Sequence, residues 1–272
     1  MKTRLFLLLI FFSSKSLFAL IPDRVYHNLP ESLGLKYISN TIKVTNKISL
    51  KSWEFMQKDS KMPFVILSYG DAGNMSYNLY QAKMFFQNGY NVIMYDYRGF
   101  GESSDFEMNP NMLYYKEFEE DLKCVLKDTK KKHHPKTIIL YGLSMGNMIS
   151  ASVASEDHSV SNLILDSFIQ DPGLVVKRIY SYKKKDILLP EDSANYKSRI
   201  SKIKIPILLF SGLKDEVTTT EDAKRILGLN PKSELVTWDC NHLKCFYEMT
   251  KTNIGDLYLE KVNEFEMKLG NL

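Results

Sequence analysis

Short, uninterrupted apolar runs recur along the chain and alternate with amphipathic stretches. The runs lie at residues 64–70, 91–99, 137–142, 162–166 and 205–212, and a last strand is predicted at 234–239. Runs of this kind are typical of strands buried on both faces of a parallel sheet. Helices are predicted at residues 76–88, 112–131, 145–155, 221–227 and 253–268. This alternation predicts an α/β fold, with helices on both faces of the sheet.

Residues 39–56 follow a different pattern, because apolar and polar residues alternate on both sides of Thr45-Asn46-Lys47. Such alternation around a turn predicts an antiparallel hairpin. Its two strands and the six others predict a mostly parallel, eight-stranded sheet. No repeat, low-complexity tract or linker interrupts the pattern, so we interpret residues 20–272 as one domain.

The segment 167–200 is longer than a simple crossover between two strands requires. It contains a candidate helix, the lysine run 183–185 and Pro190. We interpret the lysines as a solvated face and the whole segment as a small cap-like insert over the top of the sheet.

The first nineteen residues have the layout of an export signal. Lys2 and Arg4 precede an unbroken apolar run at residues 5–12, and the small residue Ala19 follows. The layout predicts a cleavable signal peptide over residues 1–19 and an exported protein, periplasmic or secreted. The apolar run is too short to span a bilayer as a helix. A membrane anchor formed by an uncleaved N-terminal segment is the alternative.

The composition is that of a soluble globular protein, with 44% hydrophobic and 25% charged residues in a chain of 272. The formal net charge is +4, and removing Lys2, Arg4 and Lys15 with the signal leaves +1. Because the basic character belongs mostly to the export segment, we expect no nucleic-acid binding. Membrane contact is expected only through the N-terminal segment, and no pattern fixes an oligomeric state.

The three cysteines are too few for a disulfide framework, and they contain no C-x-x-C pair that would indicate zinc. Cys240 and Cys245 lie close together in WDCNHLKC, where an oxidising compartment would permit a bridge. Two free thiols are the alternative, and Cys124 is expected to pack. Adjacent His133 and His134 point apart and are interpreted as a solvated helix end.

The segment TIILYGLSMGNMIS, residues 137–150, places Ser144 between Gly142 and Gly146, where a predicted strand gives way to a predicted helix. A sharp strand-to-helix turn strains the serine backbone and presses its neighbours close, which glycines permit. The helix start directs free amide N–H groups toward an oxyanion formed there. The alternative is a turn that only requires small residues, since G-x-S-x-G arises by chance.

Asp215 and His242 follow the ends of the last two predicted strands, in LFSGLKDEV and TWDCNHL. The carboxyl ends of parallel strands meet at one edge of a sheet, so we expect both residues near Ser144. The order serine, acid, histidine is the one that this kind of sheet requires. Histidine can take the proton of a weakly nucleophilic hydroxyl, and the acid fixes the imidazole tautomer. Taken singly, Asp215 would be interpreted as a turn residue and His242 as a surface loop residue.

These motifs resemble the α/β-hydrolase superfamily over nearly all of residues 20–272. GLSMG resembles the nucleophile elbow, YDYRGFGES (95–103) the loop after the fourth strand, and GLKDEV the acid loop. SYGDAGN (68–74) resembles the oxyanion loop H-G-N-A-G-N of the branch related to α/β-hydrolase-domain depalmitoylases, small bacterial esterases and serine aminopeptidase-like proteins. The resemblance implies oxyanion amides at Asp71 and Met145.

Two residues depart from that loop, because Tyr69 replaces its usual histidine and Asp71 its usual asparagine. A carboxylate beside a developing negative charge disfavours the transition state unless it is paired or turned away. The departure concerns the side chains around the oxyanion and leaves the backbone donors in place.

The residues and the resemblance together predict a serine hydrolase that cleaves ester or thioester bonds of a small-molecule ester or acyl substrate. Ser144 attacks, His242 transfers the proton, Asp215 orients His242, and the amides of Asp71 and Met145 hold the oxyanion. This chemistry requires no cofactor and no metal. The alternatives are a serine peptidase of the same fold and an inactive α/β-hydrolase scaffold that binds a ligand or protein partner.

Overall fold

The computed structural model describes residues 19–59 and 61–272. An eight-stranded sheet forms its centre, and its strands in chain order are β1 (Ile38–Lys43), β2 (Ser49–Phe55), β3 (Phe64–Ser68), β4 (Asn91–Tyr95), β5 (Ile138–Leu143), β6 (Asn162–Asp166), β7 (Ile207–Gly212) and β8 (Glu234–Trp238). Across the sheet the order is β8-β7-β6-β5-β3-β4-β2-β1. β2 is antiparallel to both of its neighbours, and the other pairs are parallel. The predicted mostly parallel, eight-stranded sheet is confirmed.

Burial explains why the strands have two different sequence patterns. Every residue of the five central strands β3 to β7 is buried, so each strand is apolar on both faces. β1 lies at the edge of the sheet, and Ile42 is its one buried residue. The predicted hairpin of β1 and β2 is confirmed. In its turn, the Thr45 hydroxyl accepts backbone N–H groups of Lys47 and Ile48, each at 3.1 Å.

Helices cover both faces of this sheet. They are α1 (Leu79–Gln87), α2 (Glu117–His133), α3 (Met145–Ala154), α4 (Pro172–Lys183), α5 (Tyr196–Ile200), α6 (Thr220–Leu227), α7 (Cys245–Glu248) and α8 (Asp256–Leu269). α1 packs against α8, and α2 packs against α3. α3 is buried along its whole length, which fits its run of small and apolar residues. α2 has acidic residues in its first turn and basic residues in its last, and both complement the helix dipole.

The interpretation of His133 as a solvated residue is wrong. Its ring lies 5.2 Å from the Phe64 ring, and its Nε2 atom lies 3.1 Å from a carboxylate oxygen of the buried Glu54. The end of α2 therefore packs against the sheet. His134 is exposed and ends the helix in a left-handed conformation, with φ of 47°.

The N-terminal part of the described chain packs against the loops around residues 72 and 110. Ile21–Pro22 pairs in parallel with Ala72–Gly73, and the backbone N–H of Leu20 donates to the Pro110 carbonyl at 3.0 Å. Apart from Ala19, the predicted signal peptide lies outside the described residues. Within residues 19–59 and 61–272, no helix has the length and apolar character needed to cross a membrane.

The insert between β6 and β7 contains α4, a 3-10 helix at Glu191–Asn195, and α5. Arg178 of α4 donates to the backbone carbonyl of Val217 at 3.0 Å and binds the Asp222 carboxylate at the start of α6. The Tyr196 hydroxyl is buried and donates to the Ile169 carbonyl at 2.9 Å. The Arg178 contacts join the insert to the segment that follows β7, whereas the Tyr196 bond holds two parts of the insert together.

Candidate active site

Ser144 stands in a strained turn between β5 and α3. Its φ of 50° and ψ of −113° lie outside the regions that residues with a Cβ atom ordinarily occupy. A Cβ atom on Gly146 would overlap the Ser68 carbonyl oxygen, and one on Gly142 would lie 2.8 Å from the Asn147 Cα atom. Both flanking glycines are therefore required by close backbone approach, as the sequence pattern indicated.

The three side chains predicted from the ends of strands come together in one row. The His242 Nε2 atom lies 3.0 Å from Ser144 Oγ, and the His242 Nδ1 atom lies 2.7 Å from Asp215 Oδ2. Ser144 is 7% exposed and Asp215 is 5% exposed, whereas the His242 side chain is 29% exposed. The row therefore begins at a buried carboxylate and approaches solvent at the imidazole.

Asp215 is held by the loop that follows β7. Its Oδ1 atom accepts the backbone N–H groups of Val217 and Thr218, each at 2.9 Å, and its Oδ2 atom accepts the Thr218 hydroxyl at 2.6 Å. Burial opposes ionisation of this carboxyl, but its bonds with His242 and Thr218 outweigh that effect and lower the pKa of Asp215. The ionised carboxylate is thus the stable form beside the imidazole.

The histidine loop, residues 239–244, joins β8 to α7. After His242, Leu243 has a φ of 56°, and its backbone N–H donates to the Ser167 hydroxyl at 2.9 Å. The Cys240 carbonyl accepts the backbone N–H of Lys214 at 3.0 Å. The loop is therefore fastened to the segments that follow β6 and β7.

The loop at 68–74 is anchored by a buried carboxylate at the end of β4. Asp96 Oδ1 accepts the Tyr69 hydroxyl at 2.9 Å and the Met75 backbone N–H at 2.7 Å, and the Tyr26 hydroxyl donates to its other oxygen. Burial raises the pKa of Asp96 to about 6, although the bonds from Tyr26, Met75 and Tyr69 oppose the rise. The tyrosine that replaces the usual histidine thus binds this carboxylate.

Comparison with known proteins finds a family model and relatives that match parts of this chain. The family model described as serine aminopeptidase, S33, matches residues 64–176. An uncharacterized membrane protein of Saccharomyces cerevisiae is 27% identical over 216 residues, which cover 77% of this chain and 74% of the relative. The protein bem46 of Schizosaccharomyces pombe is 24% identical over 249 residues, which cover 87% of this chain and 78% of the length of bem46.

A solved structure matches most of the chain. The esterase Pf2001 of Pyrococcus furiosus superposes with a TM-score of 0.72 at 22% identity, over 91% of this chain and 98% of that one. The chain therefore has the fold of the α/β hydrolases.

Asp71 is the second residue that departs from the oxyanion loop that the segment at 68–74 resembles. Its side chain is partly exposed beside the row of three residues. Burial raises the pKa of the Asp71 carboxyl, while the residue's own backbone N–H and the charges of His242, Lys185 and Lys183 act in the opposite direction. The insert therefore brings two lysines into the electrostatic surroundings of this loop.

Sequence reasoning identified the central row but missed side chains that hold it. Thr218 stands between Asp215 and His242, with its hydroxyl 3.2 Å from His242 Nδ1, and Ser167 fixes the backbone after the histidine. The D-x-x-T spacing in DEVT is a signal for the threonine, because a hydroxyl three residues after an aspartate can bond back to it. Ser167 has no comparable signal, since its partner is remote in sequence.

Proposed function

We propose that this α/β-hydrolase is a serine hydrolase that cleaves ester or thioester bonds through an acyl-enzyme. Ser144 is the nucleophile, His242 the base, and Asp215 the acid that orients the imidazole. The observation that carries the proposal is the continuous hydrogen-bonded row from Ser144 Oγ through both ring nitrogens of His242 to Asp215 Oδ2.

In this proposal the serine hydroxyl attacks the substrate carbonyl while His242 Nε2 takes its proton. The imidazolium is stabilised by Asp215, whose pKa is lowered by its bonds with His242 and Thr218. His242 then gives the proton to the leaving group, and a water molecule, activated by the same imidazole, later releases the acid. The strained elbow supports this role because it holds the hydroxyl clear of its own backbone.

The oxyanion is assigned to the backbone N–H groups of Asp71 and Met145. Met145 is the first residue of α3, where helix N–H groups lack intrahelical partners. Asp71 follows Gly70, and a Cβ atom on Gly70 would lie 3.8 Å from the Ser144 Cβ atom, so the loop runs beside the serine. Donors on both sides of the hydroxyl suit a tetrahedral intermediate formed there.

A peptidase of the same fold is the second candidate, because the matching family model is described as serine aminopeptidase. The esterase description of the structural relative favours the first candidate, since that match covers 91% of this chain. A panel of p-nitrophenyl esters of graded chain length and of aminoacyl anilides separates the two. Turnover of the anilides at rates above the esters would reject the esterase assignment.

A fluorophosphonate probe tests the nucleophile itself. We expect the wild type and Ser155→Ala to be labelled and Ser144→Ala to remain unlabelled. Ser155 is a suitable control because it lies at the other end of α3 and bonds only the helix backbone through its hydroxyl, to Ser152. Failure of folded wild-type protein to react would instead support the inactive scaffold.

We also propose that the protein is exported and that its signal peptide is cleaved after Ala19. The charged start and apolar run of residues 1–19 support them, while the name of the yeast relative, a membrane protein, suits the alternative of an uncleaved anchor. N-terminal sequencing of the protein from its native cell distinguishes the two. A first residue of Leu20 supports cleavage, and an intact Met1 contradicts it.

We also assign the insert, residues 167–200, as a cap beside the site. Arg178 fixes α4 to the loop of Asp215, and the charges of Lys183 and Lys185 act on Asp71. Substitutions in this segment should therefore change substrate preference, measured as the ratio of kcat/KM across the ester panel, more than they change the reaction itself.

A further inference from the structure

Two buried cysteines flank the proposed base. Cys240 lies two residues before His242, and Cys245 lies three residues after it as the first residue of α7. Their side chains are 0% and 1% exposed, and their Sγ atoms are 2.8 Å apart. Neither thiol has a part in the proposed hydrolysis, so their pairing calls for a separate explanation.

We propose that Cys240 and Cys245 form a disulfide bond, and that this bond fastens together the two ends of the loop that carries His242. A disulfide S–S bond is about 2.05 Å long, so the two sulfur atoms need to approach by less than about 1 Å. The site is therefore an oxidation site of the folded chain, built beside the row of Ser144, His242 and Asp215 and distinct from it.

A metal site is the other use of two neighbouring thiols, and the surroundings do not favour it. A structural zinc ion requires four ligands from cysteine, histidine or carboxylate side chains. Among residues 19–59 and 61–272, no group of three or more such side chains is arranged to hold a metal ion. Two thiols in contact with each other, without further ligands, are better suited to a disulfide bond than to a metal site.

The bond forms by thiol–disulfide exchange with an oxidant that is itself a disulfide, either a protein dithiol–disulfide carrier or glutathione disulfide. One cysteine thiolate attacks the donor, forming a mixed disulfide and releasing one donor thiolate. The second cysteine thiolate attacks the mixed disulfide at the first cysteine's sulfur and releases the other donor thiolate. Both cysteines are oxidised, the donor is reduced to two thiols, and the two cysteine protons pass to the released thiolates.

The order of events follows from burial. Burial raises the pKa of the Cys240 thiol to about 11 and also raises the pKa of Cys245, so the reactive thiolates are scarce once the loop has packed. Exchange is therefore fastest while the chain is folding and both sulfurs are accessible. In the native protein the same burial shields the finished bond from external thiols.

The consequence for the site concerns the freedom of the histidine loop. That loop has a strained residue at Leu243 and is held by the backbone contacts of Cys240 with Lys214 and of Leu243 with Ser167. A covalent link across the six residues 240–245 limits how far His242 can move away from Ser144 and Asp215. The bond thus stabilises the loop in its hydrogen-bonded arrangement.

Peptide mapping of the refolded full-length chain tests the bond directly. The protein is reduced in denaturant, refolded in a buffer of reduced and oxidised glutathione, alkylated in denaturant, and digested with trypsin. Cleavage after Lys244 separates the two cysteines, so we expect peptides 233–244 and 245–251 to be joined, with Cys124 alone alkylated. Alkylation of both Cys240 and Cys245 in protein that has regained its native circular dichroism would overturn the proposal.

Thermal unfolding provides a second readout that does not depend on enzymatic activity. The oxidised wild type should unfold about 5 °C above the same protein reduced at both cysteines, because closing even a short loop restricts the unfolded chain. Cys124→Ser should keep this difference, and Cys240→Ser with Cys245→Ser should abolish it. Equal Tm values for oxidised and reduced wild type would contradict the proposed fastening.

Discussion

His242 and Ser144 are separated by 98 positions in the chain, yet the imidazole Nε2 atom lies 3.0 Å from the serine Oγ atom. β5 and β8 carry these residues at the same edge of the sheet, and β6 and β7 lie between the two strands. The topology of a parallel sheet therefore creates the contact.

Asp71→Asn should raise activity at alkaline pH. The pKa of Asp71 is raised, so the wild-type side chain is neutral at low pH and becomes negative beside the proposed oxyanion as the pH rises through that pKa. Asparagine stays neutral throughout. The ratio of variant to wild-type kcat should rise with pH, on the order of tenfold at the alkaline end.

The pH profile of ester hydrolysis measures this ratio, with the exposed Asp239→Asn as the control for loss of one carboxylate. A ratio that does not change with pH would mean that the Asp71 carboxylate is turned away from the reacting carbonyl.

Tyr69→Phe should destabilise the protein and lower its kcat for ester hydrolysis. The substitution removes one hydrogen-bond donor from the buried Asp96 carboxylate, which typically costs about 1–3 kcal/mol. Because the same loop carries the proposed amide of Asp71, we expect kcat to fall while KM changes little. Urea unfolding and steady-state kinetics measure the two effects. Tyr182→Phe, at an exposed tyrosine, should leave the free energy of unfolding unchanged.

Asp166→Asn should stabilise the protein in a way that depends on pH. Burial raises the pKa of Asp166 from its ordinary value of 3.8 to about 7, so the folded state holds a proton that the unfolded state releases. The wild type therefore loses stability as the pH rises from about 4 to about 7, and the neutral asparagine does not.

Thermal unfolding across that pH range measures the effect. The Tm of Asp166→Asn relative to wild type should increase from about pH 4 to about pH 7 and then level off. The exposed Asp105→Asn serves as the control and should give a small, constant difference. A Tm difference for Asp166→Asn that is flat over this range would show that the carboxyl is already ionised in the folded state.

Gly146→Ala should destabilise the fold strongly, because the added Cβ atom overlaps the backbone of Ser68 on the neighbouring strand. A loss of more than about 3 kcal/mol is expected. Gly228→Ala is the matched control, since a Cβ atom there meets nothing within 4 Å and the backbone φ is −66°. That variant should be neutral or slightly more stable in urea unfolding. Similar losses in both variants would contradict the tight elbow.

The features predictable from the sequence were those with a local pattern. The buried strands were found because each is apolar on both faces, and the elbow because Gly142 and Gly146 mark close backbone approach around Ser144. The positions of Asp215 and His242 followed from strand ends and parallel topology. Each of these inferences required only residues that are neighbours in sequence, together with one rule about sheets.

Contacts between distant segments were not predictable in the same way. The packing of His133 is not predictable from its own segment, because its partners, Glu54 and Phe64, lie on two other segments of the chain. The hydrogen bond of Tyr69 to Asp96 depends on the register of β3 and β4, and no local pattern specifies it. Side chains that support a site from other elements become visible only when the fold is assembled.

Detection of the acyl-enzyme by mass spectrometry is the most direct test of the proposed hydrolase activity. The protein is mixed with a p-nitrophenyl ester, quenched in acid during turnover and digested with trypsin. In the wild type, we expect peptide 137–177, which contains Ser144, to carry the added mass of the acyl group. In His242→Ala, we expect no acylated peptide to accumulate. Turnover without any acylated peptide, or with the acyl group on another part of the chain, would contradict the assignment of Ser144 as the nucleophile.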